Sequence, residues 1–170
     1  IAEVLFGDHN PAGRLPVSFY RSISDIPAFD DYSMKGKTYR YCEKPVLYPF
    51  GYGLSYTKFA YSDLKLSSAV LNEKIEITVT VKNAGRMEGD EVVQLYIHQQ
   101  GQTAIKELKG YQRVHLKKGT SKQITFALKP GDLLHYSAAK DGLAILPGKV
   151  EVMIGASSQD IKLRSAFLIK

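Results

Sequence analysis

Tryptophan is absent from this 170-residue sequence, and cysteine occurs only once, at Cys42. A single cysteine cannot form a disulfide within the chain, so packing rather than covalent bridges must stabilise the fold. No apolar run approaches the roughly 18 residues that a membrane-spanning helix needs. The sequence begins at Ile1 without a start methionine and without the charged-then-apolar layout of a signal peptide. We therefore expect the chain to begin inside a larger protein.

Basic residues outnumber acidic ones, which gives a formal charge of +6 and an isoelectric point of about 9.3. The excess is thin and scattered, and it is densest over residues 106–122. A nucleic-acid interface would need a clustered basic face, whereas isolated lysines on exposed strands discourage edge-to-edge pairing. We therefore expect neither nucleic acid nor a membrane as a partner. A polyanion-binding surface is an alternative that only the isoelectric point supports.

The chain changes character near Tyr61. Five of the seven prolines and seven of the eleven tyrosines precede this residue, and the hydrophobic pattern there is irregular. Beyond it, apolar and polar residues alternate, most clearly over residues 73–82, where isoleucine or valine occupies every second position from Ile75 to Val81. Alternation with a period of two predicts a strand with one buried and one solvated face.

Further strand-like segments are separated by turn signals and lie at residues 59–66, 91–98, 108–116, 123–128, 149–155 and 161–169. Gly110 interrupts one of them, which suggests a bulge. About seven short strands at this spacing predict a mainly β fold, an immunoglobulin-like (fibronectin type III-like) β-sandwich over residues 59–170. The antibody version is excluded because there is neither a Trp nor a cysteine pair.

The first 58 residues give weaker structural signals. Residues 1–6 could form the end of a helix that Gly7 stops, and the short apolar run at residues 15–19 could form an edge or terminal strand. The remainder is rich in proline, glycine and paired charges, which is typical of loops. A loop of this length is uncommon in a compact domain unless it packs on something or carries function. We therefore expect it to wrap a partner domain.

A Tyr-Arg-Tyr run is the strongest candidate for contact with a ligand. Such a run in a loop can stack on sugar rings and bind hydroxyl groups, so Tyr39, Arg40 and Tyr41 are candidate substrate-binding residues. Tyrosine also supplies a large contact area with a polar tip, and the same residues can instead bury their rings at a domain interface. We favour the interface.

A hydrolase triad built from Asp8 and His9 with Ser18 or Ser22 is a weaker hypothesis. Triads are defined by geometry, and no nucleophile-elbow string is present. Asp8 and Asn10 are better explained as residues that cap or turn their own loop.

The adjacent pair Asp30 and Asp31 could suggest two-carboxylate chemistry, but neighbours in sequence seldom face one substrate. A solvated loop, or ion pairs with Arg14, Arg21 or Arg40, is the better explanation. A zinc site needs three or four convergent ligands, and no metal-ligand spacing connects Cys42 with the four histidines, His9, His98, His115 and His135. We expect no catalytic residue, no metal and no cofactor in this chain.

Three strings in the first part of the chain resemble the C-terminal part of glycoside hydrolase family 3: GDHNPAGRLP at 7–16, GKTYRY at 36–41 and YPFGYGLSYT at 48–57. That family includes β-glucosidases, β-xylosidases and α-arabinofuranosidases. The rest of the chain is similar to the family's fibronectin type III-like domain, with matching strings at residues 79–85, 89–96, 107–111 and 147–148. The resemblance covers essentially the entire chain.

The resemblance implies a position for each region. The family layout is a TIM-type barrel, an α/β sandwich domain and then the fibronectin-like domain. By this layout residues 1–20 end the α/β sandwich domain, residues 21–58 form a connector rich in Tyr, Gly and Pro, and residues 59–170 form the β-sandwich. Residues 50–56 would clasp the α/β domain to the sandwich. The implied partners are the barrel and the α/β domain of the parent.

The resemblance also implies a parent activity. The parent would be a retaining glycosidase that removes β-linked glucose or xylose from oligosaccharides with two carboxylates. The family's nucleophilic aspartate belongs to the barrel and its acid/base carboxylate usually to the α/β domain, so this chain is expected to be an inactive scaffold that meets substrate only through the parent. Export to the periplasm or cell exterior is a family-level expectation. A stand-alone carbohydrate-binding or adhesion β-sandwich is the alternative.

Overall fold

The computed structural model describes residues 1–137 and 140–170. These residues contain the strands β1 Phe59–Leu66, β2 Ile75–Asn83, β3 Gly89–Gln99, β4 Glu107–Leu116, β5 Ser121–Leu128, β6 His135–Ser137, β7 Gly142–Ala144, β8 Gly148–Gly155 and β9 Ile161–Ile169. The helices are short: α1 Ala2–Phe6, α2 Thr38–Tyr41 and 3₁₀ turns at Ile23–Asp25 and Pro130–Leu133. None of the helices in these two ranges could span a membrane. The predicted mainly β fold is confirmed.

Two antiparallel sheets pack face to face. One has the strand order β1-β2-β5 and the other the order β4-β3-β8-β9. Their facing side chains form the hydrophobic core, in which β2 contributes the fully buried Ile75, Ile77, Val79 and Val81. Burying one such side chain contributes about 1.5–3 kcal/mol. Because a slip of one residue would turn all four towards solvent, the alternating pattern fixes the register of β2.

Strands β1 and β9 have the predicted bounds, and the bulge in β4 is confirmed. Leu95 pairs with Gly110, whereas the next residue of β3 pairs with Leu108, so that Lys109 is the extra residue. A Cβ atom at Gly110 would lie 3.0 Å from the Phe126 ring. Glycine therefore allows the bulged strand to approach the core closely.

In the less regular regions, the predicted helix end is present and the predicted strand is not. Helix α1 ends at Gly7, whose φ of 84° is left-handed, as predicted. The apolar run at residues 15–19 does not form a strand, and the prediction was wrong: its only bridge within the described residues joins Phe19 to Tyr48. Pro16 has no N–H to donate to a ladder, which weakens any strand through this run. The short hairpin of β6 and β7 was not predicted.

Strand β3 is buried on both of its faces. Its core-facing residues include Leu95, as the alternation predicts, but Gln94 and Tyr96 on the opposite face are at most 3% exposed. Two parts of the N-terminal region cover them. The Tyr39 ring in α2 lies against Tyr96, and the Gly51 carbonyl accepts a hydrogen bond from Gln94. The parts of the N-terminal region around Tyr39 and Gly51 therefore lie on the outer face of the four-stranded sheet.

Candidate functional site

Most of the buried polar side chains lie where residues 1–58 meet the β-sandwich, a contact region that we call the seam. The buried polar residues are Asn10, Thr57, Asn83, Glu91, Gln94, Gln99, Glu107, Ser157 and Ser158. Burying a polar group costs free energy unless it is hydrogen-bonded. Partners across the seam therefore hold residues 1–58 in a defined position.

Arg14 reaches from the N-terminal segment to the end of the sandwich core, where it meets Glu91. Its Nη2 donates to Glu91 Oε2 at 3.2 Å, and the Tyr61 hydroxyl donates to Glu91 Oε1 at 2.9 Å. The Arg14 and Glu91 side chains are 12% and 4% exposed. Burial raises the pKa of Glu91, although Arg14 and Tyr61 oppose the shift. Burial and the Glu91 charge raise the pKa of Tyr61, which keeps it protonated as a donor.

The sequence reasoning did not single out Glu91, although a signal was present. Glu91 is in phase with Val93, Leu95 and Ile97, which face the core. A carboxylate at a core-facing position of a strand requires a buried cationic or donor partner. That partner is Arg14, which is 77 residues away in the sequence, so the local pattern around Glu91 could not identify it.

The side chain of Asn10 joins three separate segments of the chain. Its Oδ1 accepts from the Tyr56 N–H at 2.8 Å and from the Ser55 hydroxyl at 3.0 Å, and its Nδ2 donates to the Glu88 carbonyl at 3.1 Å. The predicted role of Asn10, as a turn residue within its own loop, was wrong. Its side-chain partners are distant in sequence, so it ties the N-terminal segment to the loop after β2.

Tyr39 packs its ring on the sandwich. The ring stacks on Phe50 with a centroid distance of 4.3 Å and meets the Tyr96 ring edge-on at 5.9 Å. The Tyr39 hydroxyl accepts a hydrogen bond from the Leu108 N–H at 3.1 Å. Aromatic pairs of this kind contribute about 0.5–1.5 kcal/mol beyond their buried area, so the Tyr39 ring supports the seam.

Arg40 also makes its contacts within the chain. Its Nη2 donates to Glu107, its carbonyl accepts from the Ile105 N–H at 2.7 Å, and its guanidinium lies 5.5 Å from the centre of the Tyr41 ring. Lys109 Nζ lies 2.9 Å from the same Glu107 carboxylate. These contacts support the interface explanation for residues 39–41, while a contact with substrate remains a prediction.

Residues 50 and 51 connect the N-terminal segment with the sandwich. The Gly51 N–H donates to the Leu15 carbonyl at 2.8 Å, and the Gly51 carbonyl accepts from Gln94 Nε2 at 3.2 Å. The Phe50 carbonyl accepts from the Ser158 N–H at 2.9 Å. These bonds join residues 50 and 51 to Leu15 and to the sandwich, while a clasp between the α/β domain and the sandwich stays a prediction.

The serine hydroxyls of the proposed triad serve main-chain contacts instead. The Ser18 hydroxyl accepts from the Phe50 N–H at 3.2 Å, and the Ser22 hydroxyl accepts from the Ser24 N–H at 3.3 Å. Neither is hydrogen-bonded to His9. The arrangement therefore lacks the nucleophile–base contact that a triad requires.

The aspartate pair lies in an open loop. Asp31 Oδ1 accepts from the Ser33 N–H at 2.8 Å. Hydrogen bonding with the side chain of Ser33, and secondly with its N–H, lowers the pKa of Asp31. Within the described residues neither Asp30 nor Asp31 forms an ion pair, so that part of the prediction was wrong. Arg14 and Arg40 pair with glutamates of the sandwich instead.

Three histidines have hydrogen-bonding partners that do not converge. His98 Nδ1 lies 2.9 Å from the Ala104 carbonyl, His115 Nδ1 lies 2.7 Å from Asp90 Oδ1, and His135 Nε2 lies 2.8 Å from Gln99 Oε1. Over residues 1–137 and 140–170, no three His, Cys, Asp or Glu side chains are grouped so that they could hold a metal ion.

Exposed apolar side chains are concentrated in the first third of the chain. Fourteen of the nineteen large hydrophobic residues that are exposed in the described ranges precede Thr57, and Phe29 and Tyr32 are among the most exposed. We call them the apolar surface: Ile1, Leu5, Phe6, Val17, Phe19, Ile23, Ile26, Phe29, Tyr32, Met34, Leu47, Tyr48, Leu54 and Tyr56. Large contiguous patches of exposed apolar side chains mark interaction sites, so the concentration of such side chains before Thr57 favours an interaction site in this part of the chain.

Comparisons with known proteins match both regions. The model of the glycosyl hydrolase family 3 C-terminal domain matches residues 1–56, and that of the fibronectin type III-like domain matches residues 91–158. A xylan 1,4-beta-xylosidase of Xylanibacter ruminicola is 39% identical over 96% of this chain and 19% of its own length. The periplasmic beta-glucosidase of Salmonella typhimurium is 39% identical over 99% of this chain and 24% of its own length.

Solved structures give the same result. Beta-glucosidase 3B from Thermotoga neapolitana has a TM-score of 0.88 at 34% identity, over 98% of this chain and 26% of that one. The chain spans 19% and 24% of the length of the two curated relatives quoted above. These matches favour part of a larger hydrolase over a stand-alone carbohydrate-binding or adhesion module. The chain therefore belongs to glycoside hydrolase family 3, as its C-terminal part ending in the fibronectin type III-like domain.

Proposed function

We propose that this chain is the scaffold part of a family 3 glycoside hydrolase that removes β-linked glucose or xylose residues from oligosaccharides. The names of the relatives support this activity, because they are β-xylosidases and β-glucosidases. Retaining hydrolysis needs two carboxyl groups about 5–5.5 Å apart. The buried carboxylates Glu91 and Glu107 are instead neutralised by basic side chains of this chain. The catalytic pair would lie in the preceding part of the parent.

The apolar surface is the observation that carries this proposal. Fully burying one large aliphatic or aromatic side chain contributes about 1.5–3 kcal/mol, so leaving fourteen of them in water forgoes a large stabilisation. The proposed occupant is the parent itself, its barrel and α/β sandwich domain. Residues 1–20 would complete the α/β domain, residues 21–58 would connect it, and residues 59–170 would form the supporting sandwich.

The seam gives the apolar surface a rigid support. Hydrogen bonds of Asn10, the Arg14–Glu91 pair and the stacked Tyr39 ring attach residues 1–58 to the sandwich at several separated points. An irregular segment with little core of its own is thereby held in one conformation. Pre-ordering of this kind reduces the conformational entropy lost on docking.

Two further features of the parent are part of this proposal. We expect it to be exported to the periplasm or the cell exterior, and the name of the Salmonella relative supports that location. We expect oligosaccharide to reach this chain only through the parent, with neither nucleic acid nor a membrane among its partners.

An activity assay of the 170-residue chain tests the proposal. The chain is incubated with aryl β-glucosides and aryl β-xylosides, and we expect no turnover above buffer. Clear turnover that a single substitution within the chain abolishes would overturn the scaffold assignment, because the catalytic carboxylates would then be present here.

A further inference from the structure

A cavity of about 710 Å³ opens beside the seam, between residues 52–59 and the turn that joins β8 to β9. Its most buried charged lining residues are Arg14 and Glu91, with Tyr61 next to them. Small-molecule sites commonly occupy about 300–1,000 Å³ and combine apolar walls with a few placed polar groups. The volume and the buried charges therefore fit a binding site for a small ligand.

The polar groups of the cavity have unused hydrogen-bonding capacity. Arginine has five N–H donors and a carboxylate accepts about four hydrogen bonds, but Arg14 donates two and each oxygen of Glu91 accepts one. The buried Ser157 hydroxyl accepts from the N–H groups of Gln159 and Asp160, which leaves its own proton available. Each of these side chains can serve a ligand without giving up its present partner.

The charges that line the cavity nearly cancel. Arg14 is paired with Glu91, and Lys162 Nζ lies 2.7 Å from Asp160 Oδ1. Only the exposed Lys58 adds a charge that lacks an opposite charge in the lining. A ligand with a net charge gains little from such balanced pairs, whereas hydroxyl groups can donate to the carboxylates and accept from the basic groups.

Aromatic rings complete the lining. Tyr52 and Phe59 are half-buried and present apolar surface beside these polar groups. Aromatic faces provide large contact area for the C–H faces of a pyranose ring, while polar neighbours bind its hydroxyl groups. Given these walls, the balanced charges and the volume, we propose that the cavity binds a neutral saccharide of one or two pyranose units.

Both parts of the chain build this site, because Arg14 and Tyr52 precede the sandwich and Ser157 belongs to it. An isolated sandwich would lack Arg14 and Tyr52, so the site differs from that of a stand-alone binding module. It also goes beyond the proposed hydrolase, because saccharide binding here needs none of the carboxylates of the preceding domains.

Titration of the ¹⁵N-labelled 170-residue chain with xylobiose and with cellobiose, followed by amide chemical shifts, tests the inference. We expect saturable shifts at residues 157–162, with a Kd on the order of 1 mM. Asp160→Asn and Ser157→Ala should each weaken binding by about tenfold, a difference of about 1.4 kcal/mol. The matched controls Asp30→Asn and Ser121→Ala change exposed residues outside the cavity and should leave the Kd unchanged.

Three outcomes would overturn the inference. Shifts that stay linear far above the expected Kd, or that map away from residues 157–162, would show that the cavity is not a site. Equal weakening by the control substitutions would show a nonspecific effect. Tighter binding of D-glucuronate than of the neutral sugars would indicate a positively charged surface instead. The titration measures binding and not hydrolysis. A failure to bind saccharide in the cavity is therefore distinguishable from a failure of the proposed function.

Discussion

Gly51 lies against the side chain of Gln94 so closely that a Cβ at residue 51 would be 2.1 Å from Gln94 Oε1. The Gly51 carbonyl accepts from Gln94 Nε2, and its N–H donates to the Leu15 carbonyl. Its φ of 80° lies in the left-handed region that favours glycine. The close contact of residue 51 with Gln94 of the central strand β3 therefore depends on the absence of a side chain at residue 51.

Gly51→Ala should lower the free energy of unfolding by about 2–5 kcal/mol, the sum of left-handed backbone strain and overpacking against Gln94. Gly119→Ala is the matched control, because Gly119 has a φ of 75° but no atom within 4 Å of an added Cβ. The control should show only the backbone cost of about 1–2 kcal/mol. Urea unfolding of both variants measures the difference, and equal losses would contradict the close packing.

Arg14→Met should destabilise the protein by about 3–5 kcal/mol, because it leaves the buried Glu91 without its cationic partner. Arg164→Met removes an exposed arginine from its pair with Glu151 and should cost less than about 1 kcal/mol. Chemical unfolding of the two variants provides the comparison. Similar small losses in both would show that the Arg14–Glu91 pair does not hold the seam.

The stability of the wild type relative to Glu91→Gln should fall as the pH rises. Burial raises the pKa of Glu91 in the folded state above its unfolded value. The folded state therefore binds the Glu91 proton more tightly than the unfolded state does. The resulting contribution to the free energy of unfolding is fully present below the unfolded pKa of about 4.3, and it is lost as the pH rises through the folded pKa. Urea unfolding at several pH values between 4 and 8 measures this trend. Glu88→Gln, at an exposed glutamate of the loop after β2, is the matched control. A relative gain of wild-type stability with rising pH would refute the direction.

The double substitution Phe29→Ser with Tyr32→Ser should reduce self-association of the isolated chain and its binding of a hydrophobic dye. Both side chains are almost fully exposed, so the free energy of unfolding should change by no more than about 0.5 kcal/mol. Tyr111→Ser is the control, because Tyr111 is exposed on β4 outside the apolar surface. Sedimentation velocity distinguishes the variants, and unchanged association would indicate that residues 29 and 32 do not belong to an interaction surface.

Local pattern predicted the sandwich well because burial of one sheet face leaves a period of two in the sequence. It placed β1 and β9 at their observed bounds and located the bulge at Gly110. The hairpin of β6 and β7 was missed because strands of three residues are too short to show alternation. Its position depends on tertiary contacts instead, among them the hydrogen bond between His135 and Gln99.

The seam was harder to predict because its pairs are distant in sequence. Asn10 was expected to turn its own loop, and Arg14 was one of three arginines considered as partners of Asp30 or Asp31. Asn10 instead binds the Glu88 carbonyl, and Arg14 binds the Glu91 carboxylate. Short polar side chains have many possible partners, and the sequence pattern alone does not rank them. The core-facing phase of Glu91 in β3 was the one local sign that a buried partner was required.

The central claim is that the apolar surface of residues 1–56 docks on the catalytic part of a family 3 hydrolase. The most direct measurement is aryl β-glucoside and β-xyloside hydrolysis by the preceding part of the parent, expressed separately, with and without the 170-residue chain. We expect activity to rise when the wild-type chain is added and not when the Phe29→Ser, Tyr32→Ser chain is added. Equal activity with the wild-type chain, with the variant chain and with no chain would contradict the claim.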